Sequence, residues 1–133
     1  AKKGYKVLAV DNDREKLNCF NASNITKLVK DVENKRSWPL NKLKFDIVLV
    51  VNFLNRNFFP QIVDSVKKNG YLIYETFSEG HEKIGKPSNK NFILKPYELI
   101  KLCDKLRLIS HETIYNQNSE KKYIKQYILC KNV

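Results

Sequence analysis

Methionine is absent from the 133 residues, and glycine and proline number only four each. The glycines, Gly4, Gly70, Gly80 and Gly85, are too scattered to form a G-x-G-x-x-G phosphate-cradling run. Cysteine is equally sparse. Cys19, Cys103 and Cys130 are too far apart for a Cys-x-x-Cys pair, and their odd number argues against a disulfide framework, so they read as buried thiols in a reducing compartment. Two histidines, His81 and His111, without a carboxylate-rich neighbourhood predict no metal site. Long apolar runs are missing too: the longest, Ile47 to Val51, falls far short of the roughly 20 residues that span a bilayer. With no signal-peptide pattern at the front, the expectation is a soluble cytoplasmic protein with no membrane partner. Arginine is confined to Arg14, Arg36, Arg56 and Arg107, against 21 lysines.

What the chain does have is 42% hydrophobic residues and a net charge of +11. At this length one domain with a modest core is expected. The positive charge admits a nucleic-acid role, but its carrier is lysine alongside 15 asparagines, a composition that any solvated surface tolerates. Arginine, with its planar fork, would be the stronger sign of phosphate recognition.

Tyr5 to Val10 predicts a strand that stops at Asp11-Asn12-Asp13, and Arg14 to Asn21 a short helix with Leu17 and Phe20 on one face. Ile25 to Val32 is a weaker extended segment ending on the acidic pair Asp31 and Glu33. Phe45 to Val51 is the strongest strand, and its unbroken apolarity predicts cover on both faces, the pattern of a central parallel strand. A helix is expected over Phe58 to Lys68, stopped by Asn69-Gly70, before a strand over Tyr71 to Tyr74 that ends on Glu75. Thr76 to Lys95 reads as a long polar loop of functional character. Pro96 opens a helix through Leu106 with Leu99, Leu102, Cys103 and Leu106 inward, and Leu106 to Tyr115 and Tyr123 to Cys130 form an antiparallel hairpin. The alternation predicts an α/β sandwich with a mainly parallel sheet.

In such sheets ligands bind beyond the carboxyl ends of the strands, which here deliver Asp11, Asp31, Asn52 and Glu75. One carboxylate there accepts two hydroxyl hydrogens of a ribose and another accepts the amino hydrogens of adenine, so a nucleoside-containing ligand is the economical reading. The plainer reading makes each of these residues a turn or helix cap.

Gly4-Tyr5-Lys6-Val7-Leu8-Ala9-Val10-Asp11-Asn12-Asp13 resembles the second strand of class I S-adenosylmethionine-dependent methyltransferases. Asp31-Val32-Glu33 resembles the turn after the third strand, Phe45 to Leu54 the fourth-strand motif, and Val66 to Phe77 the helix, turn and fifth strand. Phe92 to Leu99, followed by a hairpin near His111-Glu112, is similar to the branch that includes bacterial tellurite-resistance-type methyltransferases.

The resemblance implies a Rossmann-like three-layer sandwich with a C-terminal antiparallel hairpin, forming one methyltransferase-like domain over 1–133. Its cofactor would be S-adenosylmethionine, held by Asp11 and Asn12 at the ribose, Asp31 and Val32 at the adenine, and Asn52 and Phe53 near the acceptor. Arg56, Tyr74, Glu75 and His81 are the candidates for contact with a small-molecule substrate, and no catalytic residue is assigned.

The family's first strand and glycine-rich loop have no counterpart in the sequence, so an N-terminal truncation is expected. In the family's sheet that strand lies between the second and fourth, and its loss would leave the Tyr5 to Val10 strand with an open edge. Two other readings stand beside methyl transfer: a basic nucleic-acid-binding module on the same scaffold, and a nicotinamide-nucleotide oxidoreductase using Asp11 at a ribose.

Overall fold

The computed structural model describes residues 1–32, 38–40 and 42–133. Glu33 and Arg36, both singled out in the sequence, lie outside the described residues. The chain divides into two compact units, Ala1–Asn41 and Lys42–Val133.

The first unit is built on a parallel pair, β1 (Val7–Asp11) and β2 (Ile25–Val29), in register from Val7 opposite Ile25 to Asp11 opposite Val29. Between them runs α1 (Arg14–Asn18), whose N-cap is Asp13: its carboxylate accepts from the backbone N–H groups of Glu15 and Lys16. That satisfies two of the donors a helix start leaves open. The helix is shorter than the expected Arg14 to Asn21. Leu17 is buried as expected, but Phe20 falls beyond the last turn and is exposed, with the Lys27 ammonium 5.4 Å from its ring centroid. The strand expected to run to Val32 ends at Val29.

The second unit holds a four-stranded sheet in the order β3-β4-β6-β5, formed by β3 (Phe45–Val51), β4 (Val66–Phe77), β5 (Arg107–Asn116) and β6 (Tyr123–Lys131). Only β3 and β4 pair in parallel within it. β6 runs antiparallel to both β4 and β5, because the C-terminal hairpin folds its second strand back between them. The hairpin is therefore present, whereas the sheet is mixed and not mainly parallel.

Along β4 and β6 burial alternates with the pleat. Leu72, Tyr74, Thr76, Gln126, Ile128 and Cys130 share one face and are all buried. α2 (Phe59–Asp64) stacks its Phe59 on Tyr74, and α3 (Glu98–Leu102) reaches Gln126 from the Leu99 N–H, so both helices cover this face. The opposite face of β3 is open: Ile47, Leu49 and Val51 are 51%, 64% and 51% exposed. Among the described residues of this unit the expected cover on both faces of β3 is therefore absent, since α2 and α3 lie on one side of the sheet.

Like α1, both α2 and α3 are shorter than their patterns. Val66 to Lys68 continues the helical spacing of α2, yet it belongs to β4. The Phe45 N–H donates to the Ser65 carbonyl, Val66 pairs with Phe45, and Lys67 bonds Asp46 at 2.9 Å, so strand contacts outweigh local propensity. Asn69-Gly70 then marks a register shift within β4 instead of a helix stop. Asn69 has φ 67°, and a side chain on Gly70 would meet the Asp46 carbonyl oxygen at 2.7 Å, which only glycine avoids. The helix expected from Pro96 starts at Glu98, because Tyr97 takes a left-handed conformation (φ 58°) at the N-cap, and it stops at Leu102. Of its predicted inward residues Leu99, Cys103 and Leu106 are buried, whereas Leu102 is only half-buried.

The long connection from Thr76 to Lys95 is polar but not loose. A bridge joins Ser78 to Leu94, short 3-10 turns occupy His81–Lys83 and Lys90–Phe92, and Ile93, Leu94 and His81 are buried. Burial pushes the thiols of Cys103 and Cys130 up, with each other's proximity as a further influence, whereas Cys19 is exposed. No helix among the described residues is long and apolar enough to cross a membrane.

Candidate functional site

In the first unit Asp11 and Asp31 reach the same end of the parallel pair. The Lys30 N–H donates to the Asp11 carbonyl at 2.9 Å, which sets Asp31 one residue beyond that contact. Asp11 Oδ1 accepts from the Asp13 N–H at 2.9 Å, the Asx turn that the plainer reading anticipates, while its Oδ2 has no hydrogen-bond partner among the described residues. Asp31 and Val32 are half-buried, and Asn12 is exposed. The pair thus presents a carboxylate with one oxygen fixed and one open.

In the second unit β3 ends at Val51, opposite Glu75, and the Asn52 N–H donates to the Glu75 carbonyl at 2.9 Å; β4 runs on to Phe77 because its pairing with β6 continues, so Glu75 lies inside the strand and not at its expected end. Asn52 takes φ 55°, a left-handed conformation that asparagine tolerates better than other residues with a side chain. Its amide group is exposed and makes no hydrogen bond among the described residues. A strained residue with an open polar side chain at a parallel strand's carboxyl end is where ligand groups are expected.

The residues after Asn52 are held firmly. The Phe53 carbonyl accepts from the Tyr74 hydroxyl at 2.6 Å, and Asn55 Oδ1 accepts from the N–H groups of Asn57 and Phe58. Tyr74 is fully buried, and burial raises its phenol far above the ordinary range, so it stays neutral. Arg56 reaches across to the segment before α3: Nε and Nη2 bond the two carboxylate oxygens of Glu98 at 2.6 and 3.0 Å, while Nη1 and Nη2 donate to the carbonyls of Asn91 and Ile93. Glu98 also accepts from the Lys95 N–H. The bidentate fork matches the carboxylate's geometry.

Desolvation pushes Glu98 up, but the hydrogen bonds from Arg56 and from Lys95, with the arginine's charge, outweigh it and leave the carboxyl below its ordinary range. A depressed carboxylate adds stability above its unfolded pKa and loses it as pH falls through the folded one. Glu98→Gln is therefore expected to lower stability by about 1–2 kcal/mol at pH 7. The gap to the unsubstituted chain should shrink as pH falls from about 5 to 3, around the ordinary glutamate value. Urea midpoints at the two ends of that range check this, and a gap that widens in acid would contradict it.

Glu75 and His81, the remaining candidates, are also partnered. Lys125 Nζ bonds Glu75 Oε1 at 2.8 Å, and the same ammonium lies 5.1 Å from the Phe77 ring centroid and 4.8 Å from that of Tyr123. Glu75 Oε2 has no hydrogen-bond partner among the described residues. His81 is buried against Phe77, with ring centroids 4.3 Å apart. Its Nδ1 accepts from the Ile124 N–H at 3.3 Å, so its Nε2 carries the proton and donates to the Lys86 carbonyl at 2.9 Å. Both ring nitrogens are thereby engaged in holding the loop. Of the four, Glu75 alone keeps a polar atom without a partner among the described residues.

Three residues that matter here went unnoticed in the sequence: Glu98, Lys125 and Gln126. Gln126 is fully buried, donates to Ser78 Oγ and the Lys95 carbonyl, and accepts from His111 Nε2, tying the segment before α3 to the sheet. The available signal was a Lys-Gln pair within an otherwise apolar strand, with Lys125 sharing a face with Tyr123 and Tyr127. Among the described residues no three His, Cys, Asp or Glu side chains cluster in a way that could hold a metal ion.

No protein-family model matches the chain, and no curated protein does. Solved structures do match. The N-methyltransferase NodS from Bradyrhizobium japonicum WM9 superposes with a TM-score of 0.65 at 11% identity, over 94% of this chain and 72% of that one. TehB from Haemophilus influenzae gives 0.62 at 14% identity, over 98% of this chain and 51% of that one. A SAM-dependent methyltransferase from Methanosarcina mazei gives 0.66 at 13%, over 98% and 84%. The chain thus spans about half the length of TehB. At these identities the likeness is one of fold, and the fold is that of S-adenosylmethionine-dependent methyltransferases.

Proposed function

We propose that this chain is an S-adenosylmethionine-dependent methyltransferase domain of α/β type that acts on a small-molecule acceptor in the cytoplasm. The observation that carries the reading is Asn52: a residue of positive φ just past the carboxyl end of β3, its side-chain amide without a hydrogen-bond partner among the described residues and its backbone bonded to Glu75 of β4. The fold likeness agrees with it, and one of the similar structures is named an N-methyltransferase. Three free thiols suit a reducing compartment.

The residues fit the cofactor's nucleoside half. Asp11, whose Oδ2 is open, would accept the ribose hydroxyls beside Asn12, and Asp31 and Val32 would meet the adenine. Within the second unit Asn52, Phe53 and Glu75 would face the substrate, with Arg56, Tyr74 and His81 fixing the surrounding chain. For the amino-acid half of the cofactor, the sequence offers no glycine-rich loop. When bound, the cofactor supplies an electrophilic methyl group, so what remains for the protein is alignment of the acceptor and exclusion of water. Calorimetric titration with S-adenosylmethionine is expected to give saturable heat at one site per chain. A flat titration would contradict the proposal.

A further inference from the structure

Glu75 lies within β4, opposite Val51 of β3 and Tyr127 of β6, hydrogen-bonded through its carbonyl to Asn52, and about a third of its side chain (32%) stays accessible. Lys125, opposite Phe77 on β6, is only 8% exposed along its side chain. A charged group so nearly buried needs a partner. Lys125 has one carboxylate oxygen, Glu75 Oε1, and the π-faces of Phe77 and Tyr123.

An ammonium has only donors. Lys125 therefore fixes which end of the Glu75 side chain it takes, namely an acceptor, and leaves the other oxygen, Oε2, as a hydrogen-bond acceptor with a share of negative charge. A ligand meeting that oxygen is favoured when it brings an N–H donor and disfavoured when it brings a carboxylate or phosphate. The rings of Phe77 and Tyr123 add a surface that attracts cations.

We propose that the acceptor bound at this site is an amine, anchored through its N–H group to Glu75 Oε2, with Lys125 as the residue that positions the carboxylate. The inference rests on the methyl-transfer reading. On transfer a nitrogen–carbon bond forms, the carbon–sulfur bond breaks with its electron pair left on sulfur, and the positive charge passes from sulfur to nitrogen. Glu75 then lies beside the nitrogen that gains it.

The test uses the whole chain with benzylamine and benzoate as probes, followed by amide chemical shifts at Glu75, Phe77 and Tyr123. Benzylamine should bind at least tenfold more tightly than benzoate. In Glu75→Gln the donor-only Lys125 holds the amide oxygen, so the amide N–H₂ replaces Oε2. The preference should then collapse by at least tenfold or reverse toward benzoate. Equal binding of the two probes by the unsubstituted chain, or an unchanged preference in Glu75→Gln, would overturn the proposal. Binding of S-adenosylhomocysteine, measured separately, reports on the methyl-transfer reading, and the probe preference is read whether or not it binds.

Discussion

Phe59→Ala is expected to destabilise the second unit by about 3–5 kcal/mol, the cost of deleting a buried phenyl group and leaving part of its volume empty. Phe59 is 1% exposed, and its ring stacks on Tyr74 with centroids 4.9 Å apart. Such a pair adds about 0.5–1.5 kcal/mol beyond burial. The consequence is not confined to the core, because the Tyr74 hydroxyl holds the Phe53 carbonyl next to Asn52. Loss of the stack should free Tyr74 and loosen the turn after β3. Urea unfolding measures the first effect and amide exchange at Phe53 and Leu54 the second. Since small domains are stable by only about 5–15 kcal/mol, a change below about 1 kcal/mol would show that α2 does not depend on this contact.

The second large effect is expected at Arg56. Arg56→Met keeps much of the aliphatic stem but removes the hydrogen bonds to Glu98, Asn91 and Ile93, and it leaves the Glu98 carboxylate desolvated without its counter-charge. Breaking such a pair costs more than the pair adds, and with the arginine partly exposed the loss should be about 2–3 kcal/mol. Because Glu98 keeps its bond from the Lys95 N–H, α3 should survive while the segment from Asn91 to Ile93 detaches. Faster proteolysis within Lys83 to Lys95 at unchanged helix content is the expected signature. An unaltered cleavage rate would mean that the Ser78 to Leu94 bridge and the Gln126 bonds hold the segment alone.

The strands were legible in the sequence because each is a short apolar or β-branched run bounded by turn residues, and the final hairpin because Asn116 to Ser119 separates two such runs. Where patterns misled, a distant partner decided. Val66 to Lys68 reads as helix until Phe45 and Asp46 pair with it. The apolar run of β3 reads as doubly covered, but side-chain type says nothing about how many helices pack on a strand. The strand ends were legible at Asp11 and Asn52, where β1 and β3 stop, whereas Glu75, which reads as a strand end, lies two residues inside β4. The partners of the site residues were not. Glu98 lies 42 residues from Arg56, and Lys125 lies 50 from Glu75, separations over which no local period carries information. His81 and Tyr74 looked chemically available by type, and only the folded chain engages their polar atoms with backbone groups.

The claim that most needs testing is that the strand ends hold the nucleoside of S-adenosylmethionine. A nitrogen-15 amide titration with S-adenosylhomocysteine addresses it directly. The account predicts saturation at one ligand per chain, with shifts at Asp11, Asn12, Asp31 and Val32, and at least a tenfold loss of affinity in Asp11→Ala. Absence of any shift, or shifts that leave these residues untouched, would contradict it.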